Sequence, residues 1–180
     1  MFFDVPLCYH SPSNRSIRIF ARSVAKNETP IVPLSPEEAD TKAKKPWFVY
    51  LQGGPGFGCG MPQNNGLTKL VLNEGYQMLY LDQRGTGLST TITADHLAKQ
   101  GDDAAQAESL KKFRADSIVK DCEAIRHCLT ATYPPELQKW SIFGQSFGGF
   151  CAVTYLSKHP AGLREVFTSG GIPPIGKTAQ

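Results

Sequence analysis

The sequence predicts an α/β fold in which the later strands of the sheet are parallel. Three observations lead there. Residues 47–51 and 76–81 are nearly continuous apolar runs, the pattern of strands buried on both faces of a helix-covered sheet. Residues 117–132 carry Ile118, Cys122, Ile125 and Leu129 at helical spacing, with Lys120, Glu123 and Arg126 elsewhere around the wheel. Residues 140–158 pass from a short apolar strand through glycines into a helix. The succession strand, strand, strand, strand, helix, strand, helix, strand then defines the class. With 180 residues, 41% of them hydrophobic, the chain is expected to form one domain over 1–180.

The elements follow in order. Over 16–25, Ile17, Ile19 and Ala21, and in part Ser23, alternate with Arg18, Phe20 and Arg22, the period of a half-buried strand. Residues 2–9 pair with it across the turn-rich 11–14 to give an N-terminal hairpin. From 26 to 46 the composition turns to Pro, Glu, Lys and Asp without an apolar period, which predicts an exposed loop. The two apolar runs end in Gln52-Gly53-Gly54-Pro55-Gly56 and in Asp82-Gln83-Arg84-Gly85. The helix over 117–132 stops at Pro134-Pro135. Trp140 to Phe143 forms a strand, 147–158 a helix ended by His159-Pro160, and 165–168, within 164–169, a further strand.

Charge and cysteine usage narrow the class of partner. The formal charge of +3 comes from 19 basic and 16 acidic residues spread along the chain. The densest basic group, Lys42, Lys44 and Lys45, fits a solvated loop better than a nucleic-acid groove. Five cysteines without a Cys-x-x-Cys pair read as free thiols in a reducing compartment. The first ten residues lack a basic leader, and no stretch approaches the ~20 apolar residues that span a bilayer, so a soluble cytoplasmic protein is expected. No metal set has ligand spacing and no cofactor is expected.

Gly144-Gln145-Ser146-Phe147-Gly148 lies between predicted strand and predicted helix. That context turns Gly-x-Ser-x-Gly into a nucleophile elbow. The turn holds the serine in a strained conformation with its hydroxyl outward, and side chains two residues to either side would collide, which calls for Gly144 and Gly148. Gly149 adds room for the helix against the sheet. The helix start aims free N–H groups at a developing oxyanion, with Phe147 N–H as first donor. The plainer alternative is a glycine-rich turn in which Ser146 only caps the helix. Gly54 N–H, after the strand at 47–51, is the expected second donor, although Gly-Gly-Pro-Gly by itself is as often a plain turn. Asp82 to Ser89 lacks the lysine and spacing of a phosphate loop and reads as a charged turn, with Asp82 and Arg84 bonded to backbone and neighbouring loops.

Taken in this order and spacing, Gly-Gly-Pro-Gly, Asp-Gln-Arg-Gly-Thr-Gly-Leu-Ser and Gly-Gln-Ser-Phe-Gly-Gly resemble the prolyl aminopeptidase (proline iminopeptidase) family of α/β-hydrolases. Residues 113–121 and His159-Pro160 resemble it too. The likeness runs from about 47 to 174, and Gln52 departs from the histidine that many members carry there. The resemblance implies an α/β-hydrolase fold of which this chain holds the N-terminal hairpin, first parallel strands and helices. It further implies a serine exopeptidase acting on peptides with a free N-terminus, preferably proline, through an acyl-enzyme at Ser146. Later strands and a helical cap bearing the acidic residues that read the amino group are expected to be missing.

A serine needs a base oriented by a carboxylate, and this fold orders them serine, acid, histidine. After Ser146 come only His159, about 18 Å along the same helix, and Glu165. His159 reads as a helix C-terminal residue, and His10, His96 and His127 as strand-end, loop and helix-surface residues. The strand at 164–169 is expected at the sheet's edge, where a missing C-terminal half or an oligomer partner would cover it. The chain by itself is therefore expected to be inactive: a fragment, a truncated product or one piece of a split protein. An esterase or longer-peptide hydrolase and a non-catalytic product remain alternatives, whereas epoxide and haloalkane hydrolases place aspartate where Ser146 stands.

Overall fold

A computed structural model describes residues 1–11, 15–26, 33–63 and 66–171, leaving out the side chains of 41–43. The chain forms a six-stranded sheet: β1 (Phe2–Pro6), β2 (Ser16–Val24), β3 (Trp47–Leu51), β4 (Gln77–Asp82), β5 (Trp140–Gln145) and β6 (Leu163–Ser169). Their spatial order is β1-β2-β4-β3-β5-β6. The hairpin forms as expected, with Phe2 opposite Phe20 and Pro6 opposite Ser16 in antiparallel register. β2 also runs antiparallel to β4, and all pairings from β4 to β6 are parallel. Of the turn read at 11–14, residues 12–14 lie outside the described residues, as do 27–32 and everything from 172 onward.

Because side chains alternate across a strand, each central strand feeds two cores. On one face Val49, Leu51, Leu79, Leu81, Trp140 and Ile142 pack with Ile118, Val119, Cys122 and Ile125 of α5 (Ala115–Thr130) and Cys151, Ala152 and Tyr155 of α6 (Phe147–Lys158). On the other, Phe48, Met78 and Tyr80 pack with Cys59 and with Val71 of α2 (Gly66–Asn73). This explains why β3 and β4 read as unbroken apolar runs. β6 stands at an edge of the sheet, and its Phe167 is largely exposed.

The structure differs from the sequence reading mainly in helices. Within 26–46, expected as an exposed loop, residues 36–43 form α1 (Pro36–Ala43). Its N-terminus is a capping box: Ser35 Oγ accepts from Glu38 N–H at 3.3 Å while Glu38 Oε2 accepts from Ser35 N–H at 2.9 Å. The Ser-x-x-Glu pattern with proline at the first helical position is its signal in the sequence. α2, α3 (Ala94–Ala98) and α4 (Asp103–Leu110) are further helices that the sequence-based order of elements does not contain. None buries a full apolar stripe: α2 buries Thr68 and Val71, α4 only Ser109 and α3 nothing.

Register sets what faces the C-terminal edge of the sheet. Leu51 is level with Leu81 on one side and Gly144 on the other. The segments that follow these strands, beginning at Gln52, Gln83 and Ser146, therefore leave the same edge side by side. In open α/β sheets that edge is where ligands bind.

Candidate active site

Ser146 joins β5 to α6 with φ 53° and ψ −118°, and it is the one non-glycine residue with positive φ among the described residues. Such a conformation costs about 1–3 kcal/mol and persists where its surroundings over-determine it. Those surroundings are backbone. A Cβ on Gly144 would lie 2.2 Å from the Gly148 carbonyl oxygen, and one on Gly148 would lie 2.0 Å from that of Leu51. A Cβ on Gly149 would lie 2.8 Å from Gly171 Cα, so α6 sits close against the segment that follows β6. Gly148→Ala is expected to destabilise the fold by about 1–3 kcal/mol, read as a lower urea midpoint, because backbone has to move.

The side chain of Ser146 is exposed and makes no capping hydrogen bond to α6. A serine present only as a cap would make that bond. Its own N–H donates to Ser169 O at 2.7 Å, which ties the elbow to β6. Phe147 N–H lies in the first turn of α6, where amides lack helical partners, and among the described residues it donates to none.

The Gly-Gly-Pro-Gly loop lies against this turn. A Cβ on Gly53 would come within 3.0 Å of both Ser146 Cβ and Gln145 O. Gly53 N–H is occupied, donating to Gln52 Oε1 at 2.8 Å. Gly54 N–H, on the next peptide, makes no hydrogen bond among the described residues. Of the two glycine amides it is the one left to serve a ligand. Cys59, farther along the loop, has its thiol pushed up to about 12 by burial and by the neighbouring Asp82 charge. It is a packed, unreactive group.

Each histidine is engaged elsewhere. His10 lies past the end of β1, with Nε2 3.7 Å from Asp116 and 3.3 Å from Lys120 Nζ. His96, expected in a loop, is in α3, whose short length and exposure hide it from any periodicity. His127 is exposed on α5 beside Glu123, as its position predicts. His159 ends α6, its N–H on Tyr155 O and its ring edge-on to Tyr155. Glu165 accepts from Ser141 Oγ at 2.8 Å and Tyr76 OH at 3.0 Å near the start of β6, away from the elbow. Among the described residues no histidine or carboxylate is hydrogen-bonded to Ser146.

The turn after β4 is as densely bonded as its charges predict. Asp82 accepts from Cys59 N–H at 2.7 Å and Leu88 N–H at 2.8 Å. Arg84 is enclosed by Asp121 and three backbone carbonyls. Sequence reasoning missed the side chain of Gln83, which together with that of Gln52 shapes the glycine loop. The one signal for Gln52 was its place immediately before Gly-Gly.

Residues 46–179 match the family described as alpha/beta hydrolase fold. The chain belongs to that family. Among its relatives, this α/β-hydrolase chain is 46% identical to the proline iminopeptidase aneH of Aspergillus aculeatus, over 96% of its own length and 36% of the relative's. It is also 46% identical to the proline iminopeptidase of Aeromonas sobria, over 99% of its length and 38% of the relative's. The chain thus spans little more than a third of those relatives. The likeness includes the N-terminal hairpin, which the motifs by themselves left unspecific. Among solved structures, the proline iminopeptidase of Mycobacterium smegmatis superposes with a TM-score of 0.54 at 18% identity, over 92% of this chain and 42% of that one. That match speaks for the fold. Among the described residues, no helix is long and apolar enough to cross a membrane.

Proposed function

We propose that Ser146 is the nucleophile of a serine exopeptidase of the prolyl aminopeptidase type, which releases an N-terminal residue, preferably proline, from peptides. The observation that carries this reading is the uncapped, exposed serine at positive φ beside two amides that are unpaired among the described residues, in a chain 46% identical to proline iminopeptidases. Ser146 Oγ attacks the carbonyl of the substrate's first residue, and its proton passes to a base. Phe147 and Gly54 N–H groups hold the oxyanion. The leaving amine takes the proton, and water then releases the acyl group from Ser146. Base and acid come from polypeptide beyond these 180 residues, which also carries the groups that recognise the free amine. The partner is the peptide itself, with neither nucleic acid nor membrane. Five free thiols fit a cytoplasmic location.

The test is a chimera that joins residues 1–180 to the remainder of the Aeromonas sobria relative, assayed on proline anilide. Ser146-dependent release of proline is the expected result. Turnover of esters with no release of proline would overturn the substrate assignment. The 180-residue chain by itself is expected to show no turnover in the same assay, because nothing described deprotonates Ser146. Turnover by that chain, lost on Ser146→Ala, would contradict this.

A further inference from the structure

Gln83 follows Asp82 at the end of β4 and is buried. Its backbone is locked in place, since its carbonyl accepts from Thr86 N–H at 3.1 Å and Thr86 Oγ1 at 2.8 Å. From that anchor its side chain crosses to the glycine loop, where Nε2 donates to Gln52 O at 3.1 Å. The acceptor is a carbonyl, so the amide orientation is unambiguous. The N–H of the same peptide unit, that of Gly53, is held at 2.8 Å by Gln52 Oε1. Both polar groups of the Gln52–Gly53 peptide are therefore occupied, and its plane cannot rotate without breaking a part-buried bond.

Two further contacts fix this peptide against the elbow. Gly148 packs on it closely enough that a Cβ there would lie 2.8 Å from Gln52 O. Tyr50 OH lies 3.1 Å from Gln52 Oε1 and 2.7 Å from Gln145 Oε1, which links the loop to the residue before Ser146. The far end of the loop is held independently: Asp82 accepts from Cys59 N–H at 2.7 Å, and Arg22 donates to Cys59 O at 3.2 Å. Consecutive residues of β4 and its turn thus grip the loop at Gln52 and at Cys59, and Gly54 lies between the grips.

We infer that Gln83 is a positioning residue for the reaction: by holding the Gln52 carbonyl it sets the plane of the Gln52–Gly53 peptide and so aims the next amide, Gly54 N–H, at the oxyanion. This rests on the assignment of Ser146 and Gly54 above. Gln83 touches no reacting atom. Its effect falls on the transition state, because a donor pre-aimed at the oxyanion contributes far more there than to the bound substrate.

Two measurements test it. In the 180-residue chain, Gln83→Met keeps the length of the side chain and removes the donor. Amide hydrogen exchange of Gly53 should accelerate about 10-fold or more, while that of Cys59, held by Asp82, stays within about 2-fold as an internal control on global unfolding. In the chimera, the same change should lower kcat about 10- to 100-fold with KM within about 2-fold, the loss expected when a catalytic group is displaced by about 1 Å. Gln83→Glu, which sets a carboxylate against the Gln52 carbonyl, should lose more. Unchanged Gly53 exchange, or kcat within 2-fold of the parent in folded Gln83→Met, overturns the inference. If the parent chimera shows no Ser146-dependent activity, the functional reading has failed, and Gly53 exchange still decides whether Gln83 holds the loop.

Discussion

Ser146→Ala in the chimera is expected to lower kcat on proline anilide by about 10⁶-fold, the size of the loss when a serine protease loses its nucleophile. The stability of the protein should barely change. The hydroxyl is exposed and makes no cap, so its removal breaks no bond that holds α6. Alanine at φ 53° is as strained as serine, so that change does not relieve the turn either. Ser146→Gly separates the two effects. Glycine tolerates positive φ, and the variant should be equally inactive but more stable by about 1 kcal/mol, read from urea unfolding. A serine conserving the turn for structural reasons alone predicts the opposite pattern, with activity retained by alanine. Retention of more than about 1% of kcat by Ser146→Ala would remove the nucleophile assignment.

The parts of this site that lie in one stretch of sequence were legible, and the parts assembled across the sheet were not. Gly144, Ser146 and Gly148 are neighbours in the chain, so the steric demands of the turn are written in the order of residues. The runs at β3 and β4 declare strands buried on both faces, as these are. α2 was hidden because it buries only two residues, too few for a helical period. α1 was hidden because it is exposed along its described length. The contact from Gln83 to Gln52 joins residues 31 positions apart. Neither glutamine belongs to a spacing that announces a hydrogen bond, and the pairing exists only because Leu51 and Leu81 are level in the sheet. The same holds for Arg84. Its charge invited a turn reading, while its partner Asp121 stands 37 residues on, in the helix behind the sheet.

That pair carries the second large effect. Arg84 Nε and Nη2 donate to Asp121 at 2.7 and 2.5 Å, Nη1 to Lys112 O and Leu7 O at 2.6 and 3.0 Å, and Nη2 also to Pro6 O at 3.1 Å. All five guanidinium N–H groups are used, with the two side chains 0% and 2% exposed. Tyr9 OH completes the carboxylate at 2.8 Å. Burial pushes the Asp121 carboxyl up, against the pull of Arg84 and Tyr9. Asp121→Asn removes the counter-charge and leaves a buried guanidinium, a change expected to cost about 3–5 kcal/mol. With a urea dependence of about 2 kcal/mol/M, the midpoint should fall by about 2 M. Arg84→Lys should fall nearly as far, because one ammonium cannot serve a carboxylate and three carbonyls placed for a planar fork. A midpoint shift under about 0.3 M for Asp121→Asn would show that solvent or another anionic group compensates the Arg84 guanidinium. The loss reaches the reaction edge as well as the fold. Pro6 and Leu7 bring the hairpin to this pair, and β2 of that hairpin supplies Arg22 to Cys59 O and Phe20 N–H to Ser89 Oγ. When the hairpin loosens, the grip on the glycine loop at Cys59 loosens with it. Gly53 exchange in Asp121→Asn should then rise together with that of Cys59, unlike the isolated rise expected for Gln83→Met.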